Sequence, residues 1–268
     1  MKEQETIRKY FKPIQPSVKL GENAVTYEEL KPNAQLKELI HCYWQLQTNQ
    51  VLETPYNYRV VSDGCIDIFF NLNEISESFV MGFCKKYTEF PIGTVFNYAG
   101  IRFYPSVFPQ LFKVSAKILK DKAQPLNFIL PELATYLSKE ADTDFATLLQ
   151  QLDTFFLLHL QKNTLPIDER FQNALLHICK CKGYLETESE LKVGLSPRQL
   201  RRLFNYYVGT TPKSFSQVVR FQYILNAMRS TQNLRDNKLY FDVGFVDQAH
   251  FIKNFTRFYG VTPAKAFR

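Results

Sequence analysis

Apolar and polar positions alternate in short runs over the first hundred residues and then change period. Between about Pro16 and Phe103, runs such as Tyr58–Val61, Cys65–Phe70, Ser78–Phe83 and Val95–Phe103 are separated by turn residues, which predicts β-strands. The Ser62-Asp63-Gly64 turn between two β-branched and aromatic runs predicts a hairpin, and strands at this spacing predict an antiparallel barrel or sandwich. After Pro105 the period lengthens. Phe145, Leu148, Leu149, Leu152, Phe155 and Phe156 recur at spacings of three and four, so Asp142–Leu160 should be an amphipathic helix. Asn163-Thr164-Leu165-Pro166 breaks it, and the pattern beyond is helical throughout.

The helical third contains a repeat. Ser196-Pro-Arg-Gln-Leu-Arg-Arg-Leu-Phe-Asn-Tyr-Tyr-Val-Gly-Thr-Thr-Pro212 overlays Asp247-Gln-Ala-His-Phe-Ile-Lys-Asn-Phe-Thr-Arg-Phe-Tyr-Gly-Val-Thr-Pro263 at a constant offset of 51, without a gap. Each copy places an N-capping side chain, about three helical turns, a glycine stop and a proline that opens the next helix. Gly194 and Gly244 lie just upstream, where a helix-turn-helix needs its tight turn. At 100° per residue, Leu200, Leu203, Phe204 and Tyr207 of the first copy share one face, and Arg198, Arg201, Arg202 and Asn205 the other. In the second copy the outward positions are Ala249, Ile252, Lys253 and Thr256, flanked by Gln248 and His250.

Charge sharpens the contrast between the two parts. Residues 1–179 hold 18 Lys+Arg against 20 Asp+Glu, a net of −2, whereas residues 180–268 hold 15 against 6, a net of +9. Excess cation in one compact unit suits a polyanion, since Lys and Arg gain affinity by releasing counterions from phosphates. Arginine's planar fork fits guanine O6 and N7, so the first copy is suited to reading a major groove. The second, poorer in donors, is expected to position more than specify, with Ala249 and Ile252 on thymine methyls and Lys253 on a phosphate. The Lys213–Ser230 segment between them spans about 27 Å as a helix, near the roughly 34 Å between major-groove faces one turn apart.

These residues resemble the DNA-binding domain of the AraC/XylS family of bacterial transcription regulators, through Gly194-Leu-Ser196, Leu200, Arg202, Phe204, Gly209, Pro212, Arg220, Gly244-Phe-Val-Asp-Gln-Ala-His-Phe251, Phe255 and Gly260-Val-Thr-Pro263. The resemblance covers about residues 166–268. It implies two helix-turn-helix units joined by a long helix, with Arg198, Arg201, Arg202, Gln248, Ala249, His250, Ile252 and Lys253 facing the bases of double-stranded DNA. Glu190, Ile224 and Tyr240 depart from the small residue the family usually places there and imply repacking. Residues 1–165 look like β-rich, cupin-like sensor domains of a subgroup, through Cys42-Tyr-Trp44, Ser62-Asp-Gly-Cys65-Ile-Asp67 and Gly100-Ile-Arg-Phe103.

The whole then reads as α+β: an N-terminal antiparallel β-barrel with following helices, then an all-α DNA-binding domain. Trp44, Asp67 and Arg102 are the candidate lining of a pocket for a small-molecule effector, and the Asp142–Leu160 helix is a candidate dimer surface. RNA polymerase is the further partner such a regulator would meet. A rival reading makes the N-terminal part a small-molecule-processing or sequestering domain, with the helical part a localiser or a protein-interaction module.

Covalent chemistry finds little support. Of four histidines only His41 lies in the β-rich part, so no metal, cofactor or catalytic residue is assigned. His177-Ile-Cys179-Lys-Cys181 is a cluster of soft ligands, but residues two apart on a helix diverge by about 200°. Five cysteines in a chain of 268 residues are expected to be reduced thiols. The start, Met1-Lys2-Glu3-Gln4-Glu5, has no signal-peptide pattern and no apolar run reaches membrane length, so the chain is expected to be cytoplasmic and not membrane-bound.

Overall fold

In the computed structural model, residues 6–16, 24–139, 144–185, 191–227 and 244–267 are described. Strands β1 (Val25–Leu30), β2 (Ile40–Thr48), β4 (Ile66–Asn71), β5 (Glu74–Met81), β7 (Asn97–Phe103) and β8 (Ala123–Pro125) form one sheet in the order β1-β2-β7-β4-β5-β8, and β3 (Asn57–Val60) pairs with β6 (Thr88–Pro91) in a separate ribbon. All pairings are antiparallel.

Strand alternation sets the two faces of the sheet. Ile66, Ile68 and Phe70 of β4, with Ala99, Ile101 and Phe103 of β7, point into a core shared with helices that follow the sheet, while Asp67 and Arg102 point the other way, toward the ribbon. A bulge between Ile40 and Cys42 shifts the register of β2, so Ile40 and Tyr43 both reach that core and Cys42, Trp44 and Leu46 line the opposite face.

Two expectations about the β-region are corrected. The barrel is not closed: among the described residues β1 pairs only with β2 and β8 only with β5. Strand β8 is three residues long and ends in Pro125, which has no N–H to donate, so it is a poor place to add another strand. The turn Ser62-Asp63-Gly64 is not a hairpin either, since β3 and β4 on its two sides belong to different sheets. Asp63 Oδ1 accepts from the Cys65 backbone N–H, and its carboxylate is held by Gln15 and Arg102, which draws the chain across from ribbon to sheet. The tight hairpin lies at Leu72-Asn73, between β4 and β5.

The helices are α1 (Ile7–Tyr10), α2 (Val107–Phe112), α3 (Leu126–Ile129), α4 (Pro131–Lys139), α5 (Phe145–Lys162), α6 (Glu169–Lys180), α7 (Pro197–Tyr207), α8 (Pro212–Ala227), α9 (Gln248–Tyr259) and α10 (Pro263–Ala266). Helix α5 starts on the Asp144 cap, and its Leu148, Leu149, Leu152 and Phe156 are buried in the core under the sheet. That stripe is therefore spent inside the chain, which removes it as a dimer surface. None of the described helices is long and apolar enough to cross a membrane.

Helices α6 to α9 share a second core that also takes in Phe11, Val61, Cys65 and Phe83 from the N-terminal part. Ile224 is buried in it, where the sequence resemblance led one to expect a smaller residue; Glu190, Tyr240 and the last three residues of the expected Lys213–Ser230 helix lie outside the described residues, as does Asp142.

Candidate DNA-binding face and ribbon cavity

Helix α7 is fixed at its start by a full capping box: Ser196 Oγ accepts from the Gln199 N–H, the Gln199 side chain accepts from the Ser196 N–H, and Pro197 occupies the first turn. Leu200 and Phe204 are buried, with Leu203 and Tyr207 packed beside them. Arg198, Arg201 and Arg202 are exposed on the other face. Asn205 is half-buried, and its amide donates to the Arg201 carbonyl at 2.8 Å.

Helix α9 repeats the plan with a single cap, Asp247 Oδ1 accepting from the His250 N–H at 2.7 Å. Phe251, Phe255, Phe258 and Tyr259 are buried. Gln248, Ala249, His250 and Lys253 are exposed, and Ile252 is half-buried against the core. The His250 ring meets Phe245 edge-on. Thr256 is half-buried, and among the described residues its covered hydroxyl oxygen has no hydrogen-bond partner.

Arg220 of α8 ties the two units together. Its guanidinium donates to the Gly183 carbonyl after α6 at 3.1 and 3.3 Å and to the Gly244 carbonyl before α9 at 3.4 Å, and it stacks on Phe245 and Tyr184.

Between the ribbon and the sheet lies a cavity of about 270 Å³. Trp44, Asp67 and Arg102, the three residues singled out from sequence, meet there. The Trp44 indole N–H donates to Asp67 Oδ2 at 3.0 Å, and Arg102 donates to the same oxygen through Nη2 and Nε at 3.0 and 3.2 Å. Trp44 can sit this deep because Gly100 faces it across the sheet; a Cβ there would lie 2.4 Å from the indole. Arg102 is 1% exposed and also contacts Asp63 at 3.2 Å and Glu29 at 3.1 Å.

The charges at this end are unbalanced, with one guanidinium among three carboxylates. Burial, opposed by Arg102 and reinforced by Asp63, pushes the Asp67 carboxyl up to about 7. Sequence reasoning missed Asp63, because Asp-Gly suggested only a turn, and Glu29, which carried no local motif.

Glu29, His41 and Cys42 also approach within 4.8 Å of one another. Two of the three are already engaged: Glu29 Oε1 accepts from Arg102 and Tyr27, and His41 Nδ1 bonds with the Tyr104 hydroxyl. Burial pushes the Cys42 thiol up to about 12 and the His41 imidazole down to about 4. Cys179 is buried in α6 and Cys181 caps its end, with Sγ 3.6 Å from His177 Nε2.

Comparison with known families separates the two parts of the chain. Residues 191–268, which contain α7, α8, α9 and α10, match a helix-turn-helix domain family, and residues 28–125 match a domain of unknown function, DUF6597. Residues 191–268 are an AraC-type helix-turn-helix domain. A protein carrying this domain is a DNA-binding transcription regulator.

No curated protein matches the chain. Solved structures of ToxT from Vibrio cholerae are similar to it at low identity. One matches at 12% identity over 90% of this chain and 96% of that one, with a TM-score of 0.39. Another, bound to (E)-4-(8-methylnaphthalen-1-yl)but-3-enoic acid, matches at 13% over 90% and 96%, with a TM-score of 0.41. In the AraC-type domain both helices that follow the tight turns, α7 and α9, carry exposed outward residues, and the glycine stops of both rest on the N-terminal part: a Cβ on Gly209 would lie 2.8 Å from the Ala116 carbonyl, and one on Gly260 2.8 Å from Arg59 Nε.

Proposed function

We propose that the AraC-type domain reads duplex DNA through α7 and α9 in successive major grooves, and that an effector in the cavity of the N-terminal part (about residues 1–165) alters how that domain (about 166–268) is presented. Arg198, Arg201 and Arg202 read base edges and phosphates, Gln248, Ala249, His250 and Ile252 make the lighter contacts of the second unit, and Lys253 takes a phosphate. RNA polymerase and a second copy of the chain are the partners this regulator would meet at a promoter.

The observation that supports the coupling is the buried amide of Gln222 on α8. Its Nε2 donates to the Ser62 carbonyl at 2.9 Å and to the Ile14 carbonyl at 3.2 Å, while its Oε1 accepts from the Ile14 N–H at 2.8 Å. Ser62 belongs to the stretch whose neighbours Val61, Asp63 and Cys65 line the cavity, and its N–H donates to the Phe258 carbonyl of α9 at 3.2 Å. One short segment is thus cavity wall on one side and support for the linker helix and α9 on the other. A ligand that moves it by a fraction of a bond length changes which arrangement of the two units is favoured, and coupling of this kind is typically worth about 5- to 150-fold in affinity.

The test is selection of random duplex DNA by the full-length protein, followed by salt titration on the winning and a scrambled duplex. A motif spanning two adjacent helical turns with a large specificity ratio is expected; no enrichment, with weak and purely salt-dependent binding, overturns the reading.

A further inference from the structure

We infer that the cavity binds a small organic cation, an ammonium or amidinium group on an apolar and preferably aromatic body. The inference rests on the reading of this cavity as an effector site and adds the chemical class.

The walls supply the first argument. Trp44, Tyr58, Phe69, Phe79, Phe90 and Tyr98 surround the space, so an apolar body is accommodated and an aromatic wall of the kind that attracts cations is at hand. Its size, at the small end of ligand cavities, suits a single ring with a short tail.

The polar end supplies the second. Among the described residues that line the cavity, the charged ones are Asp63, Asp67 and Arg102. Arg102 would be the natural partner of a ligand carboxylate, but all three of its nitrogens are occupied: Nε and Nη2 on Asp67, with Nε also near Asp63, and Nη1 on Glu29 and the Tyr27 hydroxyl. An incoming anion would compete with carboxylates already on each nitrogen of this buried guanidinium and would face their charge. An incoming cation meets the opposite situation, because two carboxyl groups, Asp63 and Asp67, face the one guanidinium on the cavity wall. Burial, with Asp63 adding to it, raises the Asp67 carboxyl, and a ligand cation beside it would hold Asp67 ionised. A neutral hydrogen-bond donor would satisfy Asp67 more weakly, since charge-assisted bonds are roughly twice as strong as neutral ones.

Trp44 makes the proposal directly readable. It is the single tryptophan of the chain, and its indole N–H is bonded to Asp67, so its emission reports on the charged end of the cavity. The full-length protein is titrated with 2-phenylethylamine, 3-phenylpropanoate and 2-phenylethanol while Trp44 emission and the thermal midpoint are followed. The amine is expected to act at concentrations at least about tenfold below the acid and below the alcohol, a difference of about 1.4 kcal/mol. Asp67→Asn is expected to abolish the amine's advantage over the alcohol. Should that variant fail to fold, 4-methylbenzamidine against 4-methylbenzoate on the unmodified protein asks the same question. The acid binding as tightly as the amine, or none of the ligands moving either signal, overturns the cationic class. Failure of the regulator reading would instead be seen in the DNA selection, which uses no ligand, so the two outcomes are separable.

Discussion

The two copies of the repeat share a frame and differ in what they offer outward. Helices α7 and α9 each begin at an N-capping side chain and end at a left-handed glycine, Gly209 with φ 83° and Gly260 with φ 98°. Each buries an aromatic or leucine stripe in the same core. Yet α7 presents three arginines and is locked by a capping box and Pro197, whereas α9 presents Gln248, Ala249, His250 and Lys253 behind one aspartate cap. Duplicating a scaffold preserves the positions that fold it and leaves the outward positions open to different tasks: strong, directional donors in one unit and lighter contacts in the other.

The largest expected effect comes from breaking what joins them. Arg220→Leu removes charge-assisted bonds to the Gly183 and Gly244 carbonyls and should cost about 2–3 kcal/mol in chemical denaturation, together with loss of adjacent-turn DNA binding. If stability and DNA binding were unchanged, the units would be held by their shared core alone.

Next is the arginine face. Arg202→Ala should cost about 1–3 kcal/mol on the selected site and relax base choice at one position; an equal loss on every sequence would make it a phosphate contact. The glycine stops sharpen the comparison further. An alanine at either must adopt a left-handed backbone at about 1–2 kcal/mol. Gly209→Ala should be the worse of the two in thermal melts, because its Cβ meets the Ala116 backbone, while at Gly260 the near atoms belong to the Arg59 and Tyr87 side chains, which can shift more readily than backbone.

The smallest effect concerns α9. Lys253→Ala should lower the salt slope of log K by about one unit with little change in sequence preference, and an unchanged slope would remove Lys253 from the phosphate contacts.

Legibility in the sequence followed the range of the interactions. The helical units were readable because caps, glycine stops and apolar stripes act within a few residues, and the repeat displayed them twice. Trp44, Asp67 and Arg102 were marked by a polar or bulky residue among strand-forming neighbours, and β2, β4 and β7, adjacent in the sheet, bring them within hydrogen-bond distance. The hairpin expected at Asp63-Gly64 did not form because long-range partners, Arg102 and Gln15, hold Asp63 and take the chain to another sheet. Thr256 projected outward at ideal helical spacing, yet its hydroxyl is covered.

The sequence by itself determined the duplicated helix-turn-helix scaffold, the concentration of positive charge in the last third and the arginine face of α7, because periodicity, capping and composition are local or additive. Only the tertiary structure decided that the sheet stays open, that the α5 stripe is used inside the chain, that Glu29 and Asp63 join Asp67 around one arginine, and that Gln222 touches the segment lining the cavity. Those contacts join residues 35 to 160 positions apart, as with Asp67 to Arg102 and Ser62 to Gln222, and no local pattern encodes which distant partner a buried polar group will find.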